Sequence, residues 1–326
     1  MAIRYFWLFL LGMTRRFLTT TISLLLLSAA LAAQEPFIFT PQWTAQAQFA
    51  GYYVAQEKGF YQEEGVDVRI VHPSASQSAM QRMRDGDSDA TTLQLAQAIE
   101  IIENGIPLVN VLQTSMNNAL VIASRRGKDP LSQRGARVGI WAAGFGQMAM
   151  CMSQIEHLDY QWVGFTNSIN LFVSGAIDAT LAMSYNEYYQ LLSTGMELDD
   201  SNVYRFCDHG YNVQEDGVYV KLDTWRKRRD AVERFARGSR RGWEYAAEHP
   251  EETLEIVMKY VDADKVATNR TLQKLMLDEV LRLQVDRESQ QREFRLRRDH
   301  VSLASELMYR CGMLKREITF EELMPR

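Results

Sequence analysis

From residue 36 onward, short apolar runs alternate with amphipathic stretches, the pattern of an α/β chain. The spacing predicts strands over 37–40, 66–71, 89–92, 108–113 and 119–124, each apolar or rich in β-branched residues. Helices are predicted between them over 44–58, 76–85 and 95–104. Thr44 is the expected N-cap of the first helix, and Gly59 stands where a C′ glycine belongs. A polar segment, Arg125-Arg126-Gly127-Lys128-Asp129-Pro130, then interrupts the pattern. The alternation restarts with strands expected over 137–141, 160–163, 179–183 and 203–206 and helices over 167–174 and 187–194. A second polar stretch covers 208–216. Beyond it, Val232, Phe235, Ala236, Trp243 and Ala246 repeat at helical spacing, His249-Pro250 ends that helix, and another begins at Leu254.

Two α/β units separated by two polar crossings and followed by a helical tail imply an α/β fold of two lobes joined by a hinge. The expected division is 34–124 with 212–326 for the first lobe and 125–211 for the second, with closure about 122–130 and 207–216. Folds of this kind bind small ligands in the crevice at the C-terminal ends of their strands.

The N-terminus changes the compartment. Arg15 and Arg16 precede an apolar run from Phe17 to Leu31 that ends in Ala30-Leu31-Ala32. Positive charge, a short apolar core and an A-x-A site describe a secretory signal peptide over 1–33, cleaved after Ala32 or Ala33. The run is shorter than a spanning helix needs, and the cleavage site carries no lipid-accepting cysteine, so a periplasmic location is expected. Met1 and Met13 are both compatible starts. Residues 1–33 carry three arginines and no acid, so their removal moves the formal net charge from −5 to −8. An acidic surface disfavours nucleic acid and anionic membranes as partners. The basic run Trp225-Arg226-Lys227-Arg228-Arg229 is the exception, and a solvated helix start explains it. Cys151, Cys207 and Cys311 leave at least one thiol free and match no metal motif; whether two of them are bonded stays open.

The segment Gln42-Trp43-Thr44-Ala45-Gln46-Ala47-Gln48-Phe49-Ala50-Gly51-Tyr52-Tyr53-Val54-Ala55 resembles the NMT1/THI5-like solute-binding proteins, a group that includes receptors for thiamine pyrimidine precursors. The likeness continues through Glu57-Lys58-Gly59-Phe60-Tyr61, Asp85-Gly86-Asp87-Ser88-Asp89-Ala90, Arg137-Val138-Gly139-Ile140-Trp141, Tyr185-Asn186-Glu187-Tyr188 and Gly242-Trp243-Glu244-Tyr245-Ala246, in order along the chain. The resemblance implies a type II periplasmic-binding-protein fold with two hinge crossings. It also implies a monomeric receptor that hands a small molecule to an ABC permease.

Several residues then become candidate ligand contacts. Trp43, at the end of the first strand, offers a flat indole face for a ring, although core packing explains a tryptophan equally well. Gln46 lies in the same motif. Tyr185, Asn186 and Glu187 fall at the mouth of the second lobe's sheet. There Glu187 either accepts N–H groups of an aminopyrimidine or serves the dipole of the helix it opens. Gly144, Phe145 and Gly146 form a strand-to-helix turn that either offers N–H groups to an anion or carbonyl or is simply tight. Thr91 and Thr92 end a first-lobe strand and carry hydroxyls, and Asp216 lies where ligand and hinge meet.

No catalytic set, metal site or cofactor is expected. The five histidines are scattered, and no H-E-x-x-H, G-x-S-x-G or phosphate-binding loop occurs. A fungal branch of the family is a pyrimidine synthase that consumes its own pyridoxal phosphate, using a Lys, a His and a cysteine run. The matching positions here resemble Leu93, Gln97 and the cysteine-free stretch Asn212-Val213-Gln214-Glu215-Asp216. Without an amine at 93 no Schiff base forms there. Delivery of the ligand signal to a separate sensor kinase is the alternative to import.

Overall fold

The computed structural model describes residues 35–325, with Ala75, Ala143 and Asn167 excepted; the expected signal peptide at 1–33 lies outside the described residues. Two five-stranded sheets form the framework. The first holds β1 (Phe37–Thr40), β2 (Val68–Ile70), β3 (Ala90–Leu93), β4 (Leu108–Gln113) and β10 (Gly217–Lys221), in the order β2-β1-β3-β10-β4. The second holds β5 (Leu120–Ser124), β6 (Arg137–Trp141), β7 (Gln161–Phe165), β8 (Ala179–Met183) and β9 (Val203–Arg205), in the order β7-β6-β8-β5-β9.

The two sheets repeat one plan. In each, three parallel strands are joined by an antiparallel strand that arrives from the other lobe's side, β10 next to β3 and β5 next to β8. The central strands β3, β5 and β8 are buried along their whole length. That is why they read as unbroken apolar or β-branched runs, since helices cover both faces.

Three expectations change. The predicted helix over 44–58 is a bend, a short 3₁₀ turn at Ala47–Phe49 and a helix α1 (Ala50–Glu57), and Thr44 is an exposed bend residue rather than a cap. The bend is fixed from outside: the Gln42 N–H donates to Thr92 Oγ1 (2.9 Å) and the Ala47 N–H to Gln273 Oε1 (2.7 Å). Second, β5 belongs to the second sheet, so the first passage between lobes is the segment 114–119 and not 125–130. Its polar residues are buried and partnered: Thr114 donates to the Asp216 carbonyl, Asn117 to the carbonyls of Leu283 and Val285, the Ser115 hydroxyl to the Asn117 carbonyl, and the Asn118 N–H to Asn212 Oδ1. Third, β10 was not legible. It is a five-residue strand led by a glycine and followed directly by a helix, and its pairing is entirely non-local.

The helical tail packs chiefly on the first lobe. Helix α8 (Leu222–Glu248) carries the basic run, and its Arg228 pairs with Asp89 (2.6 Å) rather than with solvent. A disulfide joins Cys151, on the second-lobe helix α5 (Gln147–Ile155), to Cys311 at the end of the tail helix α11 (Arg298–Arg310), and Cys207 is free. The remaining helices are α2 (Phe60–Glu63), α3 (Ala79–Asp85), α4 (Leu95–Glu103), α6 (Asn170–Val173), α7 (Glu187–Ser193), α9 (Pro250–Ala263), α10 (Arg270–Leu283) and α12 (Phe320–Leu323).

Helices α1 and α8 touch backbone to backbone. A Cβ added at Gly242 would lie 2.0 Å from the Gly51 carbonyl oxygen, and one at Gly51 would lie 2.2 Å from the Trp243 ring. Neither neighbour yields, because one is backbone and Trp243 is wholly buried. Gly242→Ala is therefore expected to destabilise by about 3 kcal/mol despite alanine's better helix propensity. A urea titration of parent and variant measures it, and an unchanged midpoint would refute the close contact.

Candidate functional site

The lobes meet over a cavity at the C-terminal ends of both sheets, where the strand order places a ligand crevice. The space between its walls is about 340 Å³, part of it open to solvent. Its walls are aromatic. Trp43 enters from the bend after β1 and meets Phe145 of the second lobe edge-on at 5.6 Å. Phe145 in turn lies edge-on to Trp141 at 6.4 Å, and Tyr185 closes the same side. The Trp43 bend is anchored by His72, whose Nδ1 lies 2.7 Å from the Trp43 carbonyl and whose Nε2 lies 2.8 Å from the Tyr53 hydroxyl. A carbonyl only accepts, so Nδ1 carries the proton and Nε2 receives the tyrosine's. Burial lowers the His72 pKa, which keeps the ring neutral in this role.

The polar lining comes from both lobes. In the second, Glu187 opens α7, and its carboxylate is already engaged. Oε1 accepts from Trp141 Nε1 (3.2 Å) and Asn186 Nδ2 (3.3 Å), and Oε2 accepts from the Met183 N–H (3.0 Å). Burial raises its pKa, against the lowering pull of the Met183 N–H and Trp141 Nε1. Glu187 thus fixes Trp141 and the start of α7, and little of its acceptor capacity remains. In the first lobe, Asp216 sits behind the cavity and accepts from Gln42 Nε2 and Gln48 Nε2, both at 2.7 Å. Gln48 Oε1 accepts from Gln46 Nε2 at 2.6 Å.

Among the residues expected from sequence, Trp43, Gln46, Phe145, Tyr185, Asn186 and Glu187 line this cavity. The others do not. Thr91 and Thr92 are buried within β3, and their hydroxyls serve backbone, Thr92 Oγ1 accepting from the Gln42 N–H. The Gly144 carbonyl accepts from Gln97 Nε2 (3.0 Å) and Gln147 Nε2 (2.9 Å), so the turn is used to dock the lobes. Gly146 has φ +100, and a Cβ there would lie 2.9 Å from Leu181, which makes it a packing glycine. Asp216 stands one layer back. The sequence reading missed Gln42, Gln48, Gln94, Trp141 and Met183. The alternation of glutamines at 42, 46 and 48 around Trp43 was a signal for the first two.

Beside Asp216, Glu215 ties the two crossings together by accepting the Ala119 N–H at 2.8 Å. Burial raises Glu215 to about 8 and Asp216 to about 6. Both groups therefore hold protons in the folded chain at pH values where the unfolded chain has released them. Their contribution to stability is full at low pH and declines as pH rises through these folded values. Glu215→Gln keeps an acceptor for Ala119 and removes one titration. Relative to the parent, its thermal midpoint is expected to fall less between about pH 5 and 8. Parallel curves for the two proteins would show that Glu215 is not the titrating group.

Known proteins fit this geometry. The profile of the family described as NMT1/THI5 like matches residues 46–253, more than half of the chain. A formylaminopyrimidine-binding protein of Halalkalibacterium halodurans is 25% identical over 68% of this chain and 69% of its own. The riboflavin-binding protein RibY of Chloroflexus aurantiacus is 24% identical over 72% of this chain and 68% of its own. Among solved structures, the periplasmic aliphatic sulphonate binding protein SsuA from Escherichia coli superposes with a TM-score of 0.62 at 11% identity, covering 90% of this chain and 93% of its own. The fold is therefore the two-lobed periplasmic-binding-protein fold, and the chain belongs to the NMT1/THI5-like family.

Proposed function

We propose that this protein is the extracytoplasmic solute-binding component of an ABC importer, and that its lobes close about a small flat nitrogen heterocycle of the aminopyrimidine class. The observation that carries this reading is the slot between Trp43 of one lobe and Phe145, Trp141 and Tyr185 of the other, edged by side-chain amides. Aromatic walls favour a planar ring, and amides supply orientation without charge. A relative named for a formylaminopyrimidine supports the class. A shared fold alone does not fix a function.

The same residues argue for capture rather than turnover. Leu93 is buried, and Gln97 spends its amide on the Gly144 carbonyl across the cleft. Neither offers an amine or a general base. The signal-peptide pattern at 1–33 supports delivery to the periplasm, where a permease of the importer would receive the ligand.

A thermal-shift series with 4-amino-2-methylpyrimidine, riboflavin and an alkanesulfonate tests the reading. The aminopyrimidine is expected to raise the midpoint, since ligand at about 100 times its Kd adds about 2.7 kcal/mol. Trp43→Ala is expected to weaken that binding by about 1–3 kcal/mol while leaving the ligand-free midpoint nearly unchanged, because Trp43 is only partly buried. Stabilisation by the sulfonate alone, or unaltered binding in Trp43→Ala, would overturn the assignment.

A further inference from the structure

We infer that Asp216, from behind the cavity wall, sets the hydrogen-bond polarity of the ligand slot: it turns the first-lobe amides so that they present acceptors, and the slot selects a ligand edge made of N–H donors. The inference deepens the reading above and rests on it.

An ionised carboxylate only accepts hydrogen bonds. Asp216 Oδ1 takes the Gln42 amide nitrogen and Oδ2 the Gln48 amide nitrogen, each at 2.7 Å. Turning either amide over would set a carbonyl oxygen against the carboxylate, so neither is free to flip. Each amide must then aim its oxygen away from Asp216. The Gln48 oxygen is taken by Gln46 Nε2, which passes the same orientation one residue further toward the cavity. The Gln42 oxygen has no such taker. Gln42 lines the cavity, is 8% exposed, and its Oε1 is buried without a hydrogen-bond partner among the described residues.

A buried acceptor without a partner is costly, and a ligand donor relieves it. An exocyclic amine or a ring N–H does so, whereas an ether or carbonyl oxygen meets a like-signed lone pair. The Gln42 backbone is itself pinned by Thr92, so the side chain has little room to turn elsewhere. In the second lobe, Glu187 spends its oxygens on Trp141, Asn186 and the Met183 N–H, so it brings no donor to the slot. Above about pH 7, Asp216, raised by burial to about 6, is ionised and the arrangement is fixed.

The test compares 4-amino-2-methylpyrimidine with 4-methoxy-2-methylpyrimidine by calorimetry above about pH 7. The parent is expected to prefer the amine by about tenfold or more, the effect of one buried acceptor gained or left unpaired. Gln42→Met keeps the bulk, removes the acceptor and is expected to abolish the preference. Asp216→Asn frees one amide to turn and is expected to reduce it. A ligand-free arm follows the side-chain NH₂ signals of Gln42 and Gln48 by ¹⁵N NMR, which should shift in Asp216→Asn and stay in place in Trp43→Ala. An amine preference that survives Gln42→Met, or Gln42 amide signals indifferent to Asp216→Asn, overturns the inference. If neither pyrimidine binds the parent, the aminopyrimidine reading fails, and the NMR arm still decides the amide orientation. If Asp216→Asn does not fold, Gln42→Met decides.

Discussion

Two buried carboxylates, Glu215 and Asp216, hold the place where the chain passes twice between lobes. Glu215 accepts the Ala119 N–H of the first crossing, and the Asp216 carbonyl accepts both the N–H (2.9 Å) and the hydroxyl (2.6 Å) of Thr114. Gln113 closes the same junction by donating to the Glu215 carbonyl at 2.6 Å. Backbone crossing between two sheets has no ladder to satisfy it, and buried polar groups without partners are costly. These side chains supply the missing partners. Because Asp216 is also the acceptor for Gln42 and Gln48, the lobe crossing and the cavity wall share one residue.

That sharing ties the cavity wall to the lobe geometry. The cavity exists only where both sheets present their strand ends to each other. Across the gap, Gln97 donates to the Gly144 carbonyl at 3.0 Å and Gln147 donates to the Glu100 carboxylate at 2.9 Å. The Ser184 hydroxyl likewise donates to the Glu279 carboxylate at 2.6 Å. The rigid parts lie behind them, in the α1–α8 contact at Gly51 and Gly242 and in the repeated sheet plan of the two lobes.

Glu187 shows that lining a cavity and having free acceptors are different properties. Its position at the start of α7 beside Tyr185 follows from the strand-to-helix pattern, and it does line the cavity. Its oxygens are nonetheless occupied by Trp141, Asn186 and the Met183 N–H, from three points in the local fold. Gln42 shows the reverse. It reads as an unremarkable polar neighbour of Trp43, and only Asp216, 174 positions away, gives its oxygen a direction.

The sequence by itself determined the α/β alternation, the two-lobed class and the aromatic residues beside strand ends, because periodicity and strand-to-helix turns are local properties. Most strands fall within a few residues of where the apolar runs place them. The tertiary structure alone decided where the chain changes lobe. The segment 114–119 is polar yet buried, and only the second crossing makes it so, while the more polar 125–130 merely turns at the surface. It alone decided that β10 is a strand, since that run pairs with β3 and β4 across more than a hundred residues. And it alone decided which polar groups face the ligand slot. A side chain's type gives its donors and acceptors, but the direction in which they point is set by partners that only folding brings near.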